Sequence, residues 1–377
     1  MNFKKLNILN SRTFFQLPAQ LNMVPLFFLA VAVIALWFSE MSITFVLNEV
    51  ITRFIRNGVM VLALIIPITA GMGINFSITV GALCAQVAMI LAVDFQIPGF
   101  QGFLFIVSVG AALSTLMGTL IGLALNRVKN REMITTIIIG FFTTSIYQLI
   151  FMVGYGTLIE ADNQEIMLSR GIGIRNMIDL ELYRNIIDNI WLFTSCGIEI
   201  PLFMILFVCG SGVMVKYCTM TVVGKEFRVI SESHERATQL GIDVNLVRIK
   251  AIVASTIIAC MGHLIYIQNI GMLNVYSAHT NSDIFSCAAL LAGGATIARA
   301  RVSHAFLGIF LFHALFIVSP QAGQNLFGNP ALGEYFRSFV AYGTIAFALI
   351  MNYRNPEKAR ANSSSPVSGG KISNSLP

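Results

Sequence analysis

The residues of this chain that could do chemistry fall in two places. The first is a set of neutral polar groups inside long apolar runs. A glycine break, Gly71-Met72-Gly73, is followed by Asn75, Ser77, Thr79 and Gln86. Ser114, Thr115, Thr143, Thr144, Ser145 and Gln148 follow in later runs. Such groups can exchange hydrogen bonds with an uncharged, hydroxylated solute. Hydroxyl and small side chains are also the usual contacts between membrane helices. The break favours the first role, because unwound backbone at membrane depth is tolerated mainly where protein or a cavity covers it. Asn75, Ser77, Gln86, Thr144 and Gln148 are therefore taken as the candidate solute path. The second place is the charged stretch Gly224–Lys250. Its spacing predicts a short helix over about 225–240 that ends at Gly241, a natural C-cap, with Asp243 starting a new helix. A compact charged helix between two membrane segments suits docking into a partner's groove; a solvated connector is the plainer reading.

Several chemistries find no support. There is no G-x-x-x-x-G-K-[ST] string to cradle nucleotide phosphates, and the nearest stretch, Gly210–Lys216, lacks the Gly-Lys pair. His234, His263, His279, His304 and His313 have no metal-ligand spacing. Cys84, Cys196, Cys209, Cys218, Cys260 and Cys287 have no C-x-x-C pair and read as small buried hydrophobes. No catalytic residue, cofactor or metal is called for. No basic stretch is interleaved with aromatics, so nucleic acid is not an expected partner. No Asp or Glu falls centrally in an apolar run. Ion-coupled carriers commonly place carboxylates there, so this absence points to a conduit powered from elsewhere.

The elements that position these groups follow from composition. Of the 377 residues, 56% are hydrophobic and 11% charged. A soluble domain carries about 25% charged residues, so lipid must be the solvent. The runs are continuous rather than alternating, which gives an all-α, polytopic transmembrane helix bundle rather than a barrel. The expected spans are 23–38, 58–70, 76–93, 102–125, 134–153, 199–217, 251–268, 284–298, 303–318 and 336–351, about ten, with one or two short enough to be half-helices. Ile43–Asn57 has helical apolar periodicity, with Glu49, Arg53 and Arg56 on the other face. It is expected to lie in the membrane interface or on the rim of the bundle. With a cytoplasmic N-terminus, roughly 18 of the 24 Lys and Arg fall inside, against about 6 of the 18 Asp and Glu. That bias places both termini in the cytoplasm of a multi-pass protein of the cell (inner) membrane. The domain map is a cytoplasmic segment 1–22, a transmembrane domain 23–353 and a disordered cytoplasmic tail 354–377. Within the domain are an outer segment 154–198, with an amphipathic surface helix over Arg175–Phe193, and a cytoplasmic loop 218–250. Spans 2–5 and 7–10 have the parity of an inverted-topology repeat.

The cytoplasmic loop carries a resemblance. Gly224, Phe227, Arg228, Ile230, Ala237, Gly241, Ile242 and Val244, then Ser255 and Gly262, match the loop of ATP-binding-cassette importer permeases of the branched-chain amino acid and simple-sugar class. Gly71–Ser77 resembles that family's Gly-Gly-Ile-Asp-Leu-Ser segment, and Leu290–Gly308 its later glycine-rich segment. Ser231 stands in place of a Gly, Ser233-His234 in place of Asn-Pro, Asn75 in place of Asp, and Ala298 and Ala300 in place of glycines. The resemblance implies import of a solute delivered by an extracytoplasmic binding protein. The transporter would hold two permease subunits and two ATP-binding subunits, with ATP hydrolysed outside this chain. Glu226, Arg228, Glu232, Glu235, Arg236 and Gly241 are then the expected ATPase-coupling residues. The neutral path favours a monosaccharide or nucleoside, with branched-chain amino acids next. A self-energised carrier or channel, or a membrane scaffold without transport, are the alternatives.

Overall fold

The computed structural model describes residues 23–128, 131–184, 190–195 and 197–353; the expected N-terminal segment 1–22 and tail 354–377 lie outside them. Among the described residues the chain is an all-α polytopic bundle. In order the helices are α1 (Met23–Ser39), α2 (Ile43–Ala63), α3 (Ile65–Thr69), α4 (Ile78–Asp94), α5 (Gly99–Arg127) and α6 (Glu132–Leu149), the last extended by a π-helical turn, Ile150–Gly154. They continue with α7 (Leu202–Met220), α8 (Val222–Glu232), α9 (His234–Gln239), α10 (Val244–Ile270), α11 (Ser282–Ala292), α12 (Val302–Phe327) and α13 (Pro330–Tyr353). The six segments Ile43–Thr69, Gly99–Arg127, Glu132–Gly154, Leu202–Met220, Val244–Ile270 and Val302–Phe327 are long and apolar enough to cross a membrane. At 1.5 Å per residue, α11 reaches about 16 Å, half of a roughly 30 Å hydrocarbon core. It is a half-helix within the expected span 284–298, and the chain returns through an irregular turn at 293–301.

Helix α10 is the centre of the bundle, and glycines set how closely its neighbours approach. A Cβ at Gly118 of α5 would stand 2.9 Å from the Val253 Cα, and one at Gly122 would stand 3.0 Å from the Ile249 Cα. One at Gly81 of α4 would stand 2.6 Å from the Thr256 carbonyl oxygen, and one at Gly262 of α10 would stand 2.7 Å from the Met60 nitrogen of α2. Backbone therefore meets backbone on three sides of α10, the small-residue packing that membrane helices use. By contrast, α6 buries only Thr136, Gly140 and Tyr147 along its α-helical length.

Two expectations are overturned here. The stretch 43–57 is not an interfacial helix separate from a span at 58–70. It is the first half of a segment that runs unbroken through Ala63 and on to Thr69, most of it buried. Its charges are met inside the protein: Arg53 lies 3.8 Å from Glu49 and 5.2 Å from the Phe316 ring, and the Arg56 Nε donates to Asn269 Oδ1. Hydropathy misplaced the segment because it cannot register those partners. The amphipathic helix over Arg175–Phe193 is also absent among the described residues. There the chain forms β1 (Met177–Asp179), a turn, and the start of β2 (Leu192–Ser195). β1 pairs antiparallel with β4 (Met272–Asn274), and β2 with β3 (Ile198–Pro201). The helical spacing of apolar residues there serves strand pairing and packing of Ile178, Leu180 and Tyr183 onto the outer end of the bundle. Of the cysteines, Cys84, Cys260 and Cys287 are buried as expected, whereas Cys218 is exposed.

Candidate functional site: an inner lever, a broken helix and a polar column

The loop expected in the cytoplasm folds as two helices. Thr221 caps α8, accepting from the Gly224 N–H, and Ser233 caps α9, accepting from the Arg236 N–H. The expected single helix is thus divided at Ser233, whose extended backbone and hydroxyl start a second helix. Gly241 follows in the left-handed conformation, φ 75°. Asp243 then caps α10, its Oδ1 accepting from the N–H groups of Asn245 and Leu246 at 3.0 and 3.1 Å. α8 buries Gly224, Phe227 and Ile230 at helical spacing. Of the expected coupling residues, Arg228, Glu232, Glu235, Arg236 and Gly241 are exposed and Glu226 is half-buried. Val222 and Leu240 at the two ends of this segment are exposed large apolar groups. The surface is therefore charged in the middle, with one apolar group exposed at each end.

The inner end of α8 rests on the broken helix. Gly71 and Gly73 both have positive φ, 76° and 73°. A Cβ at Gly71 would stand 2.7 Å from the Ser231 Cα, so α8 and the break meet backbone to backbone. A Cβ at Gly73 would meet Ile297 and Met133 side chains at 3.3 Å, so the turn at 293–301 and the start of α6 close the other side.

Beyond the break lie the expected path residues Asn75 and Ser77, both fully buried. Asn75 Oδ1 accepts from the Ser77 N–H and hydroxyl at 3.0 and 2.5 Å. Its Nδ2 donates to Ser255 Oγ of α10 at 3.2 Å, and Ser255 donates to the Ala63 carbonyl at 2.8 Å. The Phe76 N–H donates to the Thr136 hydroxyl of α6 at 3.3 Å. The break is thus tied by hydrogen bonds to α2, α6 and α10. Gln86, also buried, donates through its amide to His263 of α10 at 3.0 Å. Thr144 and Gln148 are half-buried and flank the buried stripe of α6 rather than lying on it. The structure brings Asn75, Ser77 and Gln86 into one hydrogen-bonded interior and leaves Thr144 and Gln148 at its border.

Four features escaped the sequence reading. One is Asp283, in the first turn of α11, which lies beside Thr79 of α4 and whose carboxyl accepts from the Ile284 N–H at 2.8 Å. Thr79 sits two residues before Gly81, which packs on Thr256 and Ala259 of α10. That region lies about 18–22 Å along α10 from Val244, near the middle of this 27-residue helix. The expectation that no carboxylate lies at depth is corrected. Asp283 immediately precedes the apolar run from Ile284, and hydropathy set the start of the span one residue too late. The second is an aromatic ladder at i, i+4, i+8: Tyr147 and Phe151 lie 4.6 Å apart and Phe151 and Tyr155 stack at 5.3 Å. Its spacing was visible in the sequence. The third is His279, buried in the turn before α11, with its ring edge-on to Tyr147 at 5.6 Å. At the outer end, burial and then the Asp94 carboxylate push the Tyr155 phenol up to about 12. The same carboxylate accepts from the Asn163 N–H at 3.1 Å. The fourth is a buried ion pair at the inner face. Arg248 of α10, 2% exposed, donates to Glu132 at 2.7 Å and to the Leu125 carbonyl at 3.3 Å. It tethers the first residue of α6 to α10.

No curated protein and no solved structure matches the chain. One family model does, that of the branched-chain amino acid transport system permease component, over residues 46–349. That range runs from the long segment before the glycine break, through the α8–α9 loop, to the last helix, and the chain therefore belongs to this family of multi-pass membrane transport permeases.

Proposed function

We propose that this chain is the membrane-spanning subunit of an ATP-binding-cassette importer. It works by alternating access, with both termini in the cytoplasm of the cell (inner) membrane. The observation that carries the reading is the backbone contact between Ser231 of α8 and Gly71 of the break. A displacement of α8 by an ATP-binding subunit reaches the break directly, and with it the hydrogen-bonded Asn75–Ser77 pair. The charged face of α8 and α9, formed by Arg228, Glu232, Glu235 and Arg236 with Glu226 beside it, is the contact for that subunit, and Gly241 allows the chain to turn back into the membrane. The small outer strands and the bundle's outer end form the docking face for an extracytoplasmic binding protein. A second permease subunit completes the passage. The favoured cargo is a monosaccharide or nucleoside, with branched-chain amino acids next.

Reversing the charges of Glu232, Glu235 and Arg236 together, in the transporter reconstituted with its ATP-binding subunit, is expected to leave the bundle folded and to abolish ATP-dependent uptake. Uptake at the unmodified rate would remove the lever from the mechanism. A self-energised carrier is the second reading, and Asp283 at depth is the observation that favours it. Uptake driven by an ion gradient without ATP would establish that reading instead.

A further inference from the structure

The β2–β3 hairpin is fastened along the flank of the bundle. β3 runs without a loop into α7 at Leu202. At 1.5 Å per residue the 19 residues of α7 make about 28 Å, so its whole length is needed to cross a roughly 30 Å hydrocarbon core, and Leu202 stands at one edge of that core. The Leu202 N–H donates to the Trp191 carbonyl at 3.2 Å, which fixes Trp191 at the same level. The turn end of the hairpin is held by α2: the Asn48 amide donates to the Gly197 carbonyl at 3.0 Å, and its oxygen accepts from the Glu199 N–H at 3.1 Å. Asn48 lies about 7.5 Å along α2 from Ile43, so the hairpin lies beside the helices and does not stand above them.

The two sides of the hairpin differ. Phe193 pairs with Ile200 across the strands, and alternation sets Phe193, Ile198 and Ile200 on one side, with Thr194 and Glu199 on the other. Glu199 is the one charged residue from Ile190 to Pro201. Phe193 is 68% exposed and Trp191 66%. Trp191 also has a positive φ, 56°, uncommon for a bulky side chain, and its exposed indole finds little packing within the chain to offset the strain. The helix that follows, α7, buries only Met204, Val208, Gly212 and Val215 and exposes Leu202, Leu206 and Phe207. The chain's other tryptophan, Trp37, is 81% exposed near the end of α1, just before α2 begins. Tryptophan collects at the membrane–water boundary, so both indoles mark the headgroup level.

We infer that the β2–β3 hairpin is a membrane anchor, with the Trp191 indole and the Phe193 side set among the headgroups and upper acyl chains of the bilayer and Glu199 turned toward water. Its partner is the lipid surface, because the hairpin stands at the level where α7 enters the membrane and adjoins a helix whose exposed surface is lipid-facing. An element with one apolar and one polar side settles at that boundary for the reason amphipathic helices do. Through Asn48 and Leu202 the anchor holds the starts of α2 and α7 at one depth. Of the outer strands proposed above as a docking face, it leaves β1 and β4 to meet the binding protein.

The test uses the full-length chain in phosphatidylcholine vesicles. Trp37→Phe leaves Trp191 as the only tryptophan, and because Trp37 is exposed the fold persists, as gel filtration checks. Vesicles whose acyl chains carry bromine near the headgroup end are expected to quench Trp191 emission several-fold more than iodide supplied on both sides of the membrane. Iodide as the stronger quencher would place the hairpin in water, and indifference to both quenchers would place it under protein; either result overturns the inference. Thr194→Trp, in a chain that also carries Trp37→Phe and Trp191→Phe, reads the opposite side of the strand. There iodide is expected to be the stronger quencher by a similar factor. Stronger quenching by bromine at both positions would mean that the hairpin has no side turned to water, and would overturn the inference as well. None of these measurements uses ATP or a solute, so the importer reading is judged separately.

Discussion

Alanine at Gly71 tests the contact that joins the lever to the passage, and alanine at Gly73 provides its control. The two glycines have nearly the same backbone, φ 76° and 73°. An alanine at either place carries the left-handed strain of roughly 1–2 kcal/mol. They differ in what the new methyl meets. At Gly73 it meets the side chains of Ile297 and Met133 at 3.3 Å, and the thioether of methionine is among the most adaptable of neighbours. At Gly71 it meets the Ser231 Cα at 2.7 Å, which no rotamer change can relieve. Ordinary carbon contact begins near 3.5 Å, so α8 must retreat by about 0.8 Å. Gly71→Ala is therefore expected to keep most of the ATPase activity of the reconstituted transporter while the solute moved per ATP hydrolysed falls several-fold. Gly73→Ala is expected to lower thermal stability to a similar degree and to leave that ratio close to the unmodified value. Equal uncoupling by both variants would mean that strain in the turn, rather than contact with α8, matters. An unchanged ratio in Gly71→Ala would remove the contact from the mechanism.

The Arg248–Glu132 pair should behave as a buried unit. Glu132→Gln alone leaves a guanidinium that is 2% exposed without its counter-charge. A loss of about 3–5 kcal/mol is expected in reversible unfolding from detergent micelles, whereas the double variant Arg248→Met/Glu132→Met should recover most of it; equal losses in the single and double variants would mean that the pair is not coupled. At the α11–α12 contact, a Cβ at Gly308 would overlap the Ala289 carbonyl oxygen, and one at Gly293 would overlap that of His304. Gly308→Ala is expected to cost about 3 kcal/mol or more and to reduce the yield of monodisperse protein sharply; recovery at the unmodified level would show that the two helices can part without penalty.

The order of the spans was legible in the sequence because lipid imposes one rule on every crossing: an apolar run long enough to satisfy its own backbone. The α8–α9 loop was legible because caps and glycines are local signals, and Asp243 and Gly241 act where their residue types predict. What failed was anything set by a partner distant in the chain. Arg53 and Arg56 made the segment 43–57 too polar to cross, until Phe316 and Asn269, from α12 and α10, are placed beside them. The apolar spacing at 175–193 imitates a helix, but Met177–Asp179 is drawn into a strand by Met272–Asn274, nearly a hundred residues on. Asp283 was missed for the same reason. In isolation it is a polar residue at the edge of an apolar run, and only Thr79 of α4 reveals its depth. Asn75, Ser77 and Gln86 were found because polar atoms inside apolar runs need partners wherever they end up. Thr144 and Gln148 met the same criterion, but helical phase sets them beside the buried stripe of α6.

How these parts respond to a push on α8 follows from the stiffness of what it touches. α10, α5, α4 and α2 are held together at glycine contacts where backbones already touch, and such interfaces have no slack. Apart from the contact of Gly71 with Ser231, the segment from Gly71 to Ser77 has no such lock. It is held by hydrogen bonds, Asn75 to Ser255 at 3.2 Å and the Phe76 N–H to Thr136 at 3.3 Å. Hydrogen bonds near the long end of their range exchange partners at little net cost. Motion that enters at Ser231 therefore goes into the break rather than into the α10 core. From the break it passes through Thr136 into α6, which buries only Thr136, Gly140 and Tyr147 along its α-helical length. α6 carries the aromatic ladder, and at its inner end the Arg248–Glu132 pair holds it to the stationary core. A helix pinned at one end and displaced above the pin must swing. On the importer reading proposed above, that swing carries the Tyr147, Phe151 and Tyr155 rings relative to the core around α10, which is the kind of change alternating access needs.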